Sequence, residues 1–154
     1  MWCPGTLAGS GPQWTNGHTD RDRGEKTMGR FTYEHIHLRS PDPEATAQYY
    51  ANMFDAEIIR SKQADGSPRI DLDLGGQKVF IALAQPDKTN AAPQAPYFGL
   101  EHIGLTVTDI DGITAELKGK GADFTMQPTT VRPGVRIAFL RGPEGVLVEL
   151  IQRG

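Results

Sequence analysis

Apolar and polar residues alternate in two short stretches of this chain. In the first, "HIHLRS", Ile36 and Leu38 share one face while His35 and His37 take the other. In the second, "HIGLTV", Ile103, Leu105 and Val107 form the apolar face and His102, Gly104 and Thr106 the opposite one. A period of two predicts half-buried strands. Each stretch ends at an aspartate, Asp42 or Asp109, and the period then lengthens to that of a helix. Ala47, Tyr50, Ala51 and Phe54 share a face of the first helix, Ile113 and Leu117 of the second. Both aspartates suit the N-cap, Pro43 the first helical position, and Gly119 and Gly121 mark the second helix's end. Three strands are predicted after each helix, around 56–60, 69–74 and 78–84 and then around 123–127, 135–140 and 145–152. Turns at Asp65-Gly66, Gly75-Gly76, Pro133-Gly134 and Gly142-Pro143 separate them.

The order β-α-β-β-β therefore occurs twice, and the sequence itself repeats. "EHIHLRSPD" (34–42) and "EHIGLTVTD" (101–109) match at an offset of 67 residues. The same offset relates Arg69 to Arg136, Gly75 to Gly142 and Val79 to Val146, with a local slip to 66 at Ala56 and Ala122. The expected fold class is α+β, two tandem βαβββ modules curving into a cup-shaped mixed sheet. The modules are read as 31–86 and 99–152 of a single domain, 31–152, joined by a linker at 87–98 that has no period. Residues 1–30 carry Gly, Thr and mixed charge without helix or strand periodicity and read as a disordered N-terminal extension, with Met28 a candidate natural start.

Composition narrows the function classes. A formal net charge of −3 and an isoelectric point near 5.8 do not suit a nucleic-acid or membrane-surface protein. No apolar run approaches a bilayer span. The single cysteine, Cys3, offers neither a disulfide framework nor a Cys-rich metal site, and a reducing cytoplasmic setting is expected.

The chemistry enters through the faces. In the last strand Val146, Val148 and Leu150 are read as facing the helix, which sends Glu149 to the sheet face that carries the histidines. An acid inside so apolar a strand needs a partner. His35, His102 and Glu149 have the composition of a two-histidine, one-carboxylate triad with open positions for water or substrate. Glu149 follows His102 by 47 residues, and the residue 47 after His35 is Ala82, so the symmetric second acid is absent. His37 lies on the face of His35 and is a candidate proton-transfer group. Phe80 and Ala82 are read as an apolar substrate pocket where the second acid is missing, and Arg69 and Arg136 as captors of a substrate carboxylate or phosphate. Tyr97 and Phe98 could rim the cup or pack the linker.

With these stretches and the ending "RGPEGVLVELIQ", the chain resembles the vicinal oxygen chelate superfamily of glyoxalase I, methylmalonyl-CoA epimerase, extradiol dioxygenase and bleomycin-resistance proteins. The resemblance covers about residues 31–152. It implies one divalent ion on His35, His102 and Glu149, a donor set that accepts Fe, Mn, Ni, Co or Zn; beside that site His37, read from its face, and Glu149 are the candidate catalytic residues. It implies lyase or isomerase chemistry that stabilises an enolate or enediolate of a small oxygenated substrate. It departs from the lyase and epimerase pattern at Ala82, where those relatives place a fourth ligand. Two alternatives accompany it, an extradiol-type Fe(II) or Mn(II) dioxygenase and a metal-free drug-binding protein. The partners implied are a small-molecule substrate and a second copy of the chain, with no nucleic acid and no membrane.

Overall fold

The computed structural model describes residues 30–154, so all but the last residue of the expected extension 1–30, Cys3 and Met28 included, lies outside the described residues. Tyr33–Gly154 makes one compact unit. Its first half runs β1 (His35–Ser40), α1 (Pro43–Phe54), β2 (Glu57–Lys62), β3 (Pro68–Leu74) and β4 (Gln77–Leu83). A connection containing a single 3-10 turn, Pro86–Lys88, leads to β5 (His102–Thr106), α2 (Ile110–Gly119), β6 (Asp123–Arg132), β7 (Val135–Arg141) and β8 (Leu147–Arg153). Each half folds its own four-stranded sheet, ordered β1-β4-β3-β2 and β5-β8-β7-β6. The helix crossover makes β1–β4 and β5–β8 parallel, and the short turns make the other pairs antiparallel. The α+β duplication expected from the pattern is the fold.

Local chemistry explains the element ends. Asp42 accepts the Ala45 N–H and Asp109 the Gly112 N–H, each at 3.0 Å, so both helices open on the same side-chain cap. The first helix stops at Asp55, which takes the left-handed conformation at φ 55°. The second stops before Gly121, at φ 89°.

The helices cover one face of each sheet. Ala47, Tyr50, Leu72, Leu74, Val79 and Ile81 form one core; Ile110, Leu117, Ala138, Leu140, Val148 and Leu150 form the other. Burying a side chain such as Leu72 or Leu150 stabilises the fold by roughly 1.5–3 kcal/mol. The cores meet, because Phe54 packs against both and Leu105 of β5 does the same. Tyr50 is fully buried and its hydroxyl has no hydrogen-bond partner, so burial pushes its ionisation well above the usual range. Val146 lies outside β8, which begins at Leu147, two residues after the expected start at 145. Among the described residues no helix is long and apolar enough to cross a membrane.

Pairing also corrects the repeat. His37 stands opposite Phe80 on β4, and Gly104, its equivalent, stands opposite Glu149 on β8. The counterpart of Glu149 is therefore Phe80, at an offset of 69, and Ala82 corresponds to Ile151. Asp71 pairs with Phe80 and Phe139 with Glu149, so β3 and β7 are offset by 68. The constant 67 fails because β6 carries register irregularities between Phe124 and Thr129 and the hairpin turns differ in length.

Candidate functional site

On the first sheet, His35, His37, Phe80, Ala82, Arg69 and Asp71 occupy the face turned away from α1. Phe80 is central. Its ring stacks on His35 at 4.1 Å and 20° between planes, and the Arg69 guanidinium lies 4.3 Å from the ring centroid. Arg69 Nε also donates to Asp71 Oδ2 at 2.6 Å, and Asp71 is largely buried. A guanidinium held by a carboxylate and an aromatic ring keeps its terminal N–H groups in a fixed fork. Arg69, Phe80, Ala82 and His37 line one cleft of about 550 Å³, with Ser67 and Gln63 among its polar groups. The His37 ring is 6.0 Å from His35 and 6.4 Å from Phe80, edge-on to both.

On the second sheet, His102 and Glu149 meet. His102 Nε2 is 3.5 Å from Glu149 Oε2, and the Glu149 side chain is 17% exposed. Phe139 holds the imidazole edge-on at 5.2 Å. Gly104 helps to make room, since a Cβ built there would already stand 3.5 Å from Glu149 Oε2. Any longer side chain at 104 would compete for the carboxylate's space. Glu101, Met126, Phe139, Arg141 and Leu147 line a second cleft of about 610 Å³, flanked by Ala95 and Pro96 of the connection.

Both histidines also touch the glutamate before them. His102 Nδ1 lies 3.3 Å from Glu101 Oε2, and His35 Nδ1 is hydrogen-bonded to Glu34. The His35 ring and then the Lys78 ammonium hold the Glu34 carboxyl below the ordinary glutamate range. Neither glutamate nor Phe139 figured among the candidates read from sequence. The glutamates were visible in the repeated E-H-I itself; Phe139 depends on register.

The structure thus gathers two of the three proposed metal donors. Among the described residues, no group of three His, Cys, Asp or Glu side chains is placed to hold a metal ion. The donor chemistry of the pair still fits one. A neutral imidazole has a single N–H to give. If Glu101 accepts it from Nδ1, the Nε2 lone pair faces the Glu149 carboxylate, an arrangement that a cation between them makes favourable.

Arg136 departs from the expectation of a substrate pocket. It pairs with Gln152 on the helix side of the second sheet and forms a fork with Asp111 of α2, at 2.6 and 2.9 Å. Its offset of 67 from Arg69 is one short of the structural offset, and one residue along a strand exchanges the faces. The strand equivalent of Arg69 is Ile137. Tyr97 donates to the Leu100 carbonyl at 2.8 Å, within the connection, and Phe98 is fully exposed.

Comparison with known proteins agrees with this geometry. The model of the Glyoxalase/Bleomycin resistance protein/Dioxygenase superfamily matches residues 32–150. The uncharacterized protein YwkD of Bacillus subtilis is 26% identical over 121 residues, covering 77% of this chain and 94% of that protein. Glyoxalase I of Saccharomyces cerevisiae is 28% identical over 142 residues, covering 76% of this chain. The chain spans only 43% of that enzyme and 44% of the lactoylglutathione lyase of Arabidopsis thaliana, to which it is 24% identical. Among solved structures, a glyoxalase I mutant from Zea mays superposes with a TM-score of 0.63 at 26% identity, covering 78% of this chain and 44% of that one. TnmS3, an antibiotic binding protein from Streptomyces sp. CB03234, shares the fold with a TM-score of 0.63 at 17% identity, over 82% and 99% of the two chains. Two βαβββ modules, a family match over nearly the whole described chain and relatives of the same architecture have one reading: the chain belongs to the glyoxalase/bleomycin resistance protein/dioxygenase superfamily.

Proposed function

We propose that this chain is a metal-dependent enzyme with lyase or isomerase activity on a small oxygenated substrate. The observation that carries the reading is the approach of His102 Nε2 to Glu149 Oε2 at 3.5 Å on a sheet face away from the core. His35 supplies the third donor. Because His35 is not grouped with the other two among the described residues, we assign the third donor to His35 of a second copy. When bound, a divalent ion would supply Lewis acidity at a substrate oxygen.

The chain's own groups divide the remaining work. Arg69, fixed by Asp71 and Phe80, binds an anionic arm of the substrate. Phe80 and Ala82 line the same cleft and exclude water from one side of it. With Phe80 where a fourth carboxylate would stand, proton transfer falls to His37 or to Glu149. The relatives named as lactoylglutathione lyase and glyoxalase I support lyase chemistry over oxygen chemistry.

The test is metal content by mass spectrometry on the full chain purified without oxygen, beside His35→Ala, His102→Ala and Glu149→Ala. The expected result is about one ion per chain, lost in each variant. Mixing the His35→Ala and Glu149→Ala chains should restore part of the metal, because each mixed dimer rebuilds one complete site. Binding that survives all three changes would sink the ligand assignment. No recovery in mixed dimers would return the site to a single chain. No uptake of any divalent ion by the unaltered protein would leave a binding protein without this chemistry.

A further inference from the structure

The leading glutamate of each E-H-I stretch belongs to none of the roles above, yet the fold gives both the same contact. Glu101 Oε2 stands 3.3 Å from Nδ1 of His102, and Glu34 is hydrogen-bonded to Nδ1 of His35. Both contacts are to Nδ1. Each ring is also held by an aromatic side chain, Phe80 in one module and Phe139 in the other.

We propose that Glu34 and Glu101 are positioning residues that set the tautomer of the two histidines, holding the proton on Nδ1 and presenting Nε2 as the lone-pair nitrogen. The inference rests on the reading of His35 and His102 as metal ligands. A carboxylate only accepts hydrogen bonds, so a neutral imidazole beside it keeps its single N–H on the near nitrogen. The far nitrogen is then the donor to a cation. In the second module this far nitrogen faces another carboxylate, Glu149, so Glu101 sets the tautomer there once a cation lies between Nε2 and Glu149 or Glu149 is removed. Outer carboxylates of this kind fix ring orientation and raise ligand basicity, and losing one typically costs about 10–100-fold in metal affinity.

The two glutamates are not equal. Glu101 is the more buried, its side chain 35% exposed against 56% for Glu34. Glu34 is also shared with the Lys78 ammonium at 3.1 Å, which draws charge away from His35. Glu101 is therefore the stronger orienting group.

The experiment uses the full chain with histidine nitrogens labelled, in the metal-free state, as wild type, Glu34→Ala, Glu101→Ala and Lys78→Ala. Long-range proton–nitrogen spectra should place the proton on Nδ1 of His35 in the wild type, and on Nδ1 of His102 in a Glu149→Ala background, where no carboxylate faces Nε2. Glu34→Ala should release that preference at His35 alone, and Glu101→Ala, in that background, at His102 alone. Zinc affinity, measured by competition with a chromophoric chelator, should fall about 10–100-fold in Glu101→Ala and less in Glu34→Ala. Lys78→Ala should leave the His35 tautomer in place. Tautomers and zinc affinity that do not move in either glutamate variant would overturn the proposal. Tautomers that shift as expected in a protein that takes up no metal would uphold the glutamate–histidine pairing and overturn the ligand reading on which its purpose rests.

Discussion

The two modules share their strand order, their crossover and the same aspartate cap, and they differ where the chemistry lies. Opposite His37 the first sheet places Phe80; opposite Gly104 the second places Glu149. In the first, the aromatic ring fills the site and joins His35 to Arg69 in a three-layer stack. In the second, the histidine meets a carboxylate across a gap that a small residue leaves open. The scaffold is duplicated and the site is not. One half offers an imidazole, a guanidinium and an apolar wall, the other an imidazole and an acid. A shared fold fixes where side chains stand, and each half's own residues decide what those positions do.

Exchanging the two positions is the strongest way to break this contrast. Glu149→Phe should abolish metal binding, a loss of more than about 100-fold, since removing a ligand costs more than removing an outer partner. Phe80→Glu should give the first module the pair of the second and raise metal affinity about tenfold or more by adding a fourth donor, which the same chelator competition would read. A Phe80→Glu protein that binds metal no more tightly than wild type would mean that position 80 does not face the ion. A smaller effect sharpens what the modules share. Asp42→Ala and Asp109→Ala should each lower stability by about 1 kcal/mol in urea unfolding, because each removes one 3.0 Å cap from an otherwise similar helix. Unequal losses would show that one module governs the unfolding transition. The smallest effect concerns Arg136. Its hydrogen bonds hold the Asp111 carboxyl below the ordinary aspartate range. The pair's contribution is thus whole above about pH 4 and fades as pH falls through the lowered value. Arg136→Met should reduce the acid sensitivity of stability below about pH 4 and leave metal affinity unchanged. A change in metal binding would place Arg136 nearer the site than its helix-side pairing puts it.

Much of this architecture was legible in the residues. Alternation located β1 and β5, the aspartates located the helix starts, and glycine turns separated the hairpins, because each of these signals is local. The face of Glu149 was legible for the same reason. Register was not. The repeat read at 67 residues holds for β1 and β5, but loops and β6 irregularities change the count to 68 and then 69 without any mark in the hydrophobic pattern. A slip of one sent Arg136 to the wrong face; a slip of two named Ala82 where Phe80 stands. The distribution of donors between modules was also beyond a reading of periods, since it depends on how two sheets are arranged in space.

The turn before β8 shows what such counting can do. Between β3 and β4 the chain reverses through Gly75 and Gly76, whereas β7 and β8 are joined by Gly142–Val146. That longer reach determines which residue of β8 arrives opposite Gly104. Deleting two residues there, with the strand register otherwise kept, would bring Ile151 to that place; deleting one would bring Leu150 and turn a core residue toward solvent. The identity of the site is therefore written partly as a length. A lineage carrying this duplicated unit could gain or lose an acid at that place through a small insertion or deletion in one surface turn, without altering a single residue of the strand that bears it.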